Sequence, residues 1–144
     1  MRFALLAPAL LLCALAAHAQ TDAAAAAAKQ PGAVLKPSGL VFLSLRDGTG
    51  ASPGPSDTVT VNYRGTFPDG REFDSSYKRG QPIEFPLNGV IKCWTEGVQL
   101  MKVGGKAKLT CPPGIAYGER GAGSAVPPNA TLHFEVELLG IKGR

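Results

Sequence analysis

TVTVNYR, residues 58–64, sets the fold class. It places Val59, Val61 and Tyr63 on one side of an extended chain and Thr58, Thr60, Asn62 and Arg64 on the other. A period of two marks a half-buried strand. Working outward, the same alternation recurs in VFLSLR (41–46), PIEFPL (82–87, with Ile83, Phe85 and Leu87 together), KAKLTC (106–111, with Ala107, Leu109 and Cys111) and TLHFEVEL (131–138, with Leu132, Phe134, Val136 and Leu138 inward). Five strands with one polar face each imply an antiparallel sheet covered on one side, an α+β fold.

The cover is expected from VIKCWTEGVQLM (90–101). Trp94, Val98 and Met101 fall at i, i+4 and i+7 on one apolar stripe, and Gly104-Gly105 is the expected stop. A helix of about two turns buries a whole sheet only if the sheet curls around it. PDG (68–70) and CPPG (111–114) read as turns, and GERGAGSAVPPNA (118–130) is longer than a connector needs to be, as functional loops often are. There is no internal repeat.

Residues 1–19 read as a secretory signal: Arg2, an apolar run from Phe3 to Ala17, then Ala17-His18-Ala19 as a small-x-small site with cleavage after Ala19. An exported product, periplasmic or secreted, is expected. The run is shorter than the roughly 20 residues of a spanning helix, so no membrane insertion is expected after cleavage. A lipid anchor on Cys13 is the rival reading, disfavoured by Leu12 where a small residue belongs. Residues 20–37, with six consecutive Ala and two Pro, read as a flexible tether or a frayed helix, leaving one domain over 38–144. Cleavage leaves Cys93 and Cys111 with 17 residues between them. That spacing is wrong for a CxxC redox or zinc motif and suits one bridge in an oxidising compartment, with two unlinked buried thiols as the other reading.

The net charge of +4 comes without a clustered Lys/Arg stripe, so no nucleic-acid partner is expected. His133 is the one histidine left after cleavage, and its alternation points it outward, which gives little support to a Ser-His-Asp or Cys-His arrangement. Neither a metal-ligand pattern nor a phosphate loop occurs, and neither a metal nor a cofactor is expected. What remains is a set of aromatics on inward positions or beside turns: Tyr63, Phe73, Phe85, Trp94, Tyr117 and Phe134. Each alone is more often core than site. Together they could wall an apolar pocket with a few polar tips, which binds apolar ligands without a nucleophile.

Three stretches in register, VNYRGTFPDGREFDSSY (61–77), VIKCWTEGVQLMKVGGKAKL (90–109) and AYGERGAG with VPPNATLHFEVELL (116–139), resemble the FKBP-type peptidyl-prolyl cis-trans isomerases, particularly exported bacterial members. The resemblance implies a five-stranded antiparallel half-barrel wrapped around one short helix. It also implies catalysis of X-Pro bond rotation in polypeptides, with rapamycin-type macrolides as inhibitors. By the same resemblance Trp94 is the pocket floor, and Tyr63, Phe85, Val90, Ile91 and Phe134 are wall positions. Phe73 and Asp74 form an aromatic-acid pair, and Tyr117 is a phenol able to donate to the substrate carbonyl. Arg79 is able to link Asp74 to the Tyr63 hydroxyl. Ile83 stands where many relatives carry an aromatic, and Ala122, Ala125 and Val126 match a loop rim. Cys93 and Cys111 depart together from the family's usual Gly and aliphatic residue, which favours the bridge. Residues 20–37 are too short for the helical dimerisation arm of related exported proteins, so a monomer is expected. The alternative to an enzyme is a chaperone-like binding module of the same fold with little turnover.

Overall fold

The computed structural model describes residues 23–143; the expected signal segment 1–19 and its cleavage site lie outside them. Seven strands form one open antiparallel sheet: β1 (Val34–Leu35), β2 (Val41–Arg46), β3 (Thr58–Thr66), β4 (Glu72–Ser75), β5 (Ile83–Pro86), β6 (Lys106–Cys111) and β7 (Leu132–Ile141). Their order is β1-β2-β6-β7-β3-β4, with β5 also paired to β3. Residues 23–28 are helical (α1), α2 is Ser76–Arg79 and α3 is Lys92–Gln99.

All five strands expected from alternation are present, and the α+β class holds. The strand count is higher because β1 and β4 add two short strands. β4 and β5 share one edge of β3: Arg64, Gly65 and Thr66 pair with Ser75, Asp74 and Glu72, whereas Thr58 to Val61 pair with Pro86 to Ile83. The chain leaves that edge between them through α2. Ser76, itself buried, fixes the departure, since its hydroxyl accepts from the Tyr63 backbone N–H at 2.8 Å and donates to Oδ1 of the half-buried Asn62 at 2.9 Å.

The inward positions read from period two are the core. Val59, Val61, Leu109, Leu132, Val136 and Leu138 are all fully buried, each contributing about 1.5–3 kcal/mol of transfer free energy. α3 lies on this inner face with Cys93, Trp94, Gly97 and Val98 buried. It meets β6 closely because Gly97 has no side chain; a Cβ there would sit 2.8 Å from both Leu109 methyl carbons. The helix ends at Gln99, earlier than the Gly104-Gly105 stop expected from the sequence. Leu100 and Met101 N–H groups close the last turn onto Gly97 and Val98 carbonyls at 3.1 Å, and Met101 stays buried beyond the helix.

Two further features depart from the sequence reading. Part of the stretch read as a tether is in the sheet, since Val34 and Leu35 pair with Phe42 and Val41. The outer face is also not wholly solvated. Val41 and Thr110 are buried there, and His133 is half-buried with its Nδ1 2.9 Å from Thr110 Oγ1. Gly32 contributes to this cover, lying against Leu43.

Candidate functional site

The split between β4 and β5 opens a cavity of about 660 Å³ above the first turn of α3. Its lining comes from across the fold: Tyr63 (β3), Phe73 and Asp74 (β4), Arg79 (α2), Ile83 and Phe85 (β5), Trp94 (α3), Phe134 (β7) and Tyr117 from the loop after β6. Gly89, Val90 and Ile91, on the turn into α3, complete it.

Trp94 organises the apolar part. Tyr63, Phe85 and Phe134 stand with ring centroids 5.2, 5.3 and 5.5 Å from the indole at interplanar angles of 86, 78 and 88°. Edge-to-face contacts of this kind suit the aromatic quadrupole and fix the rings mutually. Trp94 is 4% exposed, so its neighbours hold it while it still lines the hollow. Phe73 extends the wall, edge-on to Phe134 at 5.6 Å and tilted against Phe67 at 4.9 Å. It comes this near the sheet because Gly65 lies beneath it; a Cβ on Gly65 would be 2.6 Å from Phe73 Cζ.

The polar groups gather on one side. The Tyr63 hydroxyl donates to Asp74 Oδ2, while Arg79 donates through Nη1 to Asp74 Oδ1 at 2.6 Å and through Nη2 to the Tyr63 oxygen at 3.1 Å. The Ser75 N–H adds a bond to Asp74 Oδ1 at 2.9 Å. α2 makes this reach possible: Ser75 caps it by accepting from Lys78 N–H, Gly80 ends it at φ +80°, and Arg79 falls one turn past Asp74.

These contacts set the protonation states. Partial burial pushes the Asp74 carboxyl up, but hydrogen bonds from Tyr63 and Arg79 and the guanidinium charge outweigh it and hold the group below its usual value. Burial, then the bond to Asp74, pushes the Tyr63 phenol up. Burial and the Asp74 charge do the same for Tyr117, whose side chain is 39% exposed at the mouth. At neutral pH the site therefore holds one carboxylate already satisfied by neighbours and a neutral phenol at the mouth. Among the described residues no group of three or more His, Cys, Asp or Glu side chains converges as a metal site would need.

Of the residues singled out by sequence, the cavity brings together Tyr63, Phe73, Asp74, Arg79, Ile83, Phe85, Val90, Ile91, Trp94, Tyr117 and Phe134. Val126 is elsewhere: it is buried in the core, held by a bridge to Ala122 within its loop. Gly89 lines the hollow and was not singled out, since a glycine before a helix carries no signal that separates a wall from a turn. Cys93 and Cys111 are joined in a buried disulfide with Cα atoms 5.8 Å apart.

Comparison with known proteins agrees with this geometry. The sequence pattern of the FKBP-type peptidyl-prolyl cis-trans isomerases matches residues 50–139, which run from before β3 into β7 and include every lining residue. The chain belongs to that family. FkpA of Escherichia coli K12, an FKBP-type peptidyl-prolyl cis-trans isomerase, is 52% identical over 115 residues, covering 80% of this chain and 42% of FkpA. Outer membrane protein MIP of Legionella longbeachae is 47% identical over 113 residues, 78% of this chain and 48% of MIP. This FKBP-family chain thus matches less than half the length of either relative. Among solved structures, a peptidyl-prolyl cis-trans isomerase of Pseudomonas syringae superposes with a TM-score of 0.81 at 37% identity, covering 88% of this chain and 93% of that one.

Proposed function

We propose that this protein is a peptidyl-prolyl cis-trans isomerase acting on X-Pro bonds of unfolded or partly folded polypeptides. The observation that carries the reading is an open, aromatic-walled hollow floored by Trp94, with Tyr63, Asp74 and Arg79 tied in one polar network and the Tyr117 phenol at the mouth.

The chemistry this supports needs no nucleophile. Amide resonance resists rotation by about 18–20 kcal/mol. The two X-Pro isomers lie within about 1 kcal/mol of each other, so only the crossing is slow. A planar amide is strongly dipolar and is stabilised by water; twisting it breaks the resonance and reduces that dipole. A hollow that replaces water with Trp94, Phe85 and Phe134 therefore disfavours the planar state relative to the twisted one. In this reading the proline ring lies on the indole. Tyr117, which carries its proton up to high pH, donates to the carbonyl as it rotates. Asp74, Tyr63 and Arg79 hold one another and keep the wall in place for the transition state. Stabilisation present only in the twisted state is what raises kcat.

Site roles follow as part of the proposal: Asp74 and Tyr117 act on the reacting amide, Arg79 supports Asp74, and Tyr63, Phe73, Ile83, Phe85, Val90, Ile91, Trp94 and Phe134 bind substrate. Rapamycin-type macrolides are expected to compete for the same hollow. An envelope location is proposed from the name of the MIP relative together with the signal-like residues 1–19, with chain folding in that compartment as the role. The test is an isomerisation assay on a short X-Pro peptide with and without a macrolide. Macrolide-sensitive acceleration above the spontaneous rate is expected; a folded protein with no acceleration leaves only a binding module.

A further inference from the structure

We propose that the Cys93–Cys111 bridge is a positioning element that fixes the separation between the Trp94 floor and the Tyr117 mouth of the hollow; the inference rests on the isomerase reading above. Cys93 immediately precedes Trp94 in the first turn of α3. Cys111 is the last residue of β6, where the chain leaves the sheet through Pro112 and Pro113 toward Tyr117. One covalent link therefore joins the points at which floor and mouth depart from the scaffold.

Against β3, β5 and β7 the helix start is held by the packing of Trp94 on Tyr63, Phe85 and Phe134, but those contacts are non-covalent and none of them reaches β6. Its N-cap is Ile91, which offers no side-chain bond, and its first turn carries no acidic residue. Thr95 Oγ1 donates to Leu87 O at 2.6 Å, but this ties the helix to the turn after β5, where Leu87 is buried, and not to β6. Two contacts with β6 lie on one stripe: the bridge at Cys93 and, one turn along, the close approach of Gly97 to Leu109. Without the bridge, Gly97 remains as the pivot on β6 and the Trp94 end keeps only its ring packing and the Thr95 bond, which fix its distance from the end of β6 less tightly. At the other end, Pro112 is restrained by Gly39, where a Cβ would be 3.1 Å from its ring, and the two prolines limit how the mouth can follow. Both sulfurs are fully buried, so the link is a permanent clamp rather than an exposed switch.

The test compares the full chain with Cys93→Ala/Cys111→Ala, with Cys93→Ala/Cys111→Val (which refills the strand position) and with Ile141→Ala, a buried site at the far end of β7 chosen to lower stability by other means. All are assayed at a temperature where each is fully folded. Loss of the bridge is expected to lower kcat roughly tenfold with KM within about twofold, since small misplacements act mainly on the reacting geometry. Because Trp94 is the single tryptophan, its anisotropy decay should gain a fast local component in both double variants and none in Ile141→Ala. Unchanged kcat and unchanged Trp94 anisotropy, with only a lower melting temperature, would overturn the proposal, as would failure of both double variants to fold. If the wild type shows no isomerase activity but Trp94 loosens on losing the bridge, the functional reading fails and the positioning stands.

Discussion

Gly65→Ala tests the pocket wall most directly. The added Cβ would lie 2.6 Å from Phe73 Cζ and 3.0 Å from both Cε carbons. Carbon atoms settle at about 3.5–4.0 Å, so the ring must retreat by about 1 Å. It cannot retreat freely, because Phe67 and Phe134 flank it at 4.9 and 5.6 Å. Overpacking of this kind costs about 1–3 kcal/mol, a fall in melting temperature of roughly 4–10 °C for a domain of this size. The displaced ring moves into the hollow, so peptide kcat/KM should fall along with stability. Phe73→Leu frees the space; combined with Gly65→Ala it should cost less than the sum of the two single changes, by at least about 0.5 kcal/mol. Calorimetry and the X-Pro peptide assay read both quantities. Wild-type melting for Gly65→Ala, or strict additivity with Phe73→Leu, would refute the close packing of Phe73 on the bare backbone of β3.

Tyr117→Phe and Asp74→Ala should lower kcat/KM while leaving melting within about 1 kcal/mol of wild type, since both side chains are partly exposed; a large loss of stability in either would count against the site roles. Phe134→Ala should reduce both turnover and stability, the latter by about 3–5 kcal/mol, and unchanged melting would contradict its burial. With Asp74 held below its usual value and Tyr63 and Tyr117 above theirs, peptide kcat/KM should show no inflection between about pH 5 and 9; a bell-shaped profile in that window would contradict the assignment. His133 sets an acid limit to stability. Burial, then the charge of Lys108, lowers its value from 6.5 to about 4. Between those values the unfolded chain binds the extra proton and the fold does not, so stability is lost as pH falls through the window, by about 2 kcal/mol after allowing for partial exposure. His133→Gln should flatten that slope in urea titrations at pH 4, 5 and 7.

What the sequence disclosed follows from how strongly each element repeats. β3, β6 and β7 alternate over six or more residues against a buried face, so the period shows them and their inward sides without tertiary information. β5 is as short as β4 but shows because its alternation runs on from Ile83 and Phe85 to Leu87. By contrast β4 carries a single large apolar residue, Phe73, β1 has two residues, and α2 is a single turn whose identity depends on its Ser75 cap. Met101 fits the helical stripe yet lies past the helix, because burial continues after the backbone has turned. His133 was read as outward, and it does sit on the outer face; alternation cannot say that Thr110 would meet it there. At the site, residues from four strands and two helices, with others from loops, converge on a single hollow, which motif resemblance anticipated and composition could not. Val126 shows the limit: a motif position on a loop says nothing about whether the side chain turns out to a mouth or in to the core.

The place of β7 in the sheet has a consequence for biogenesis. It is the last strand in the chain and it lies between β6 and β3. Before it emerges, the earlier strands amount to two separate ribbons, β1-β2-β6 and β3 with β4 and β5, with no ladder connecting them among the described residues. Phe134 is absent at that stage, so the hollow lacks a wall. During vectorial synthesis or export the polypeptide would therefore acquire its working cavity only once its final ten-residue strand is released, and until then it would resemble the unfinished chains on which it is proposed to act.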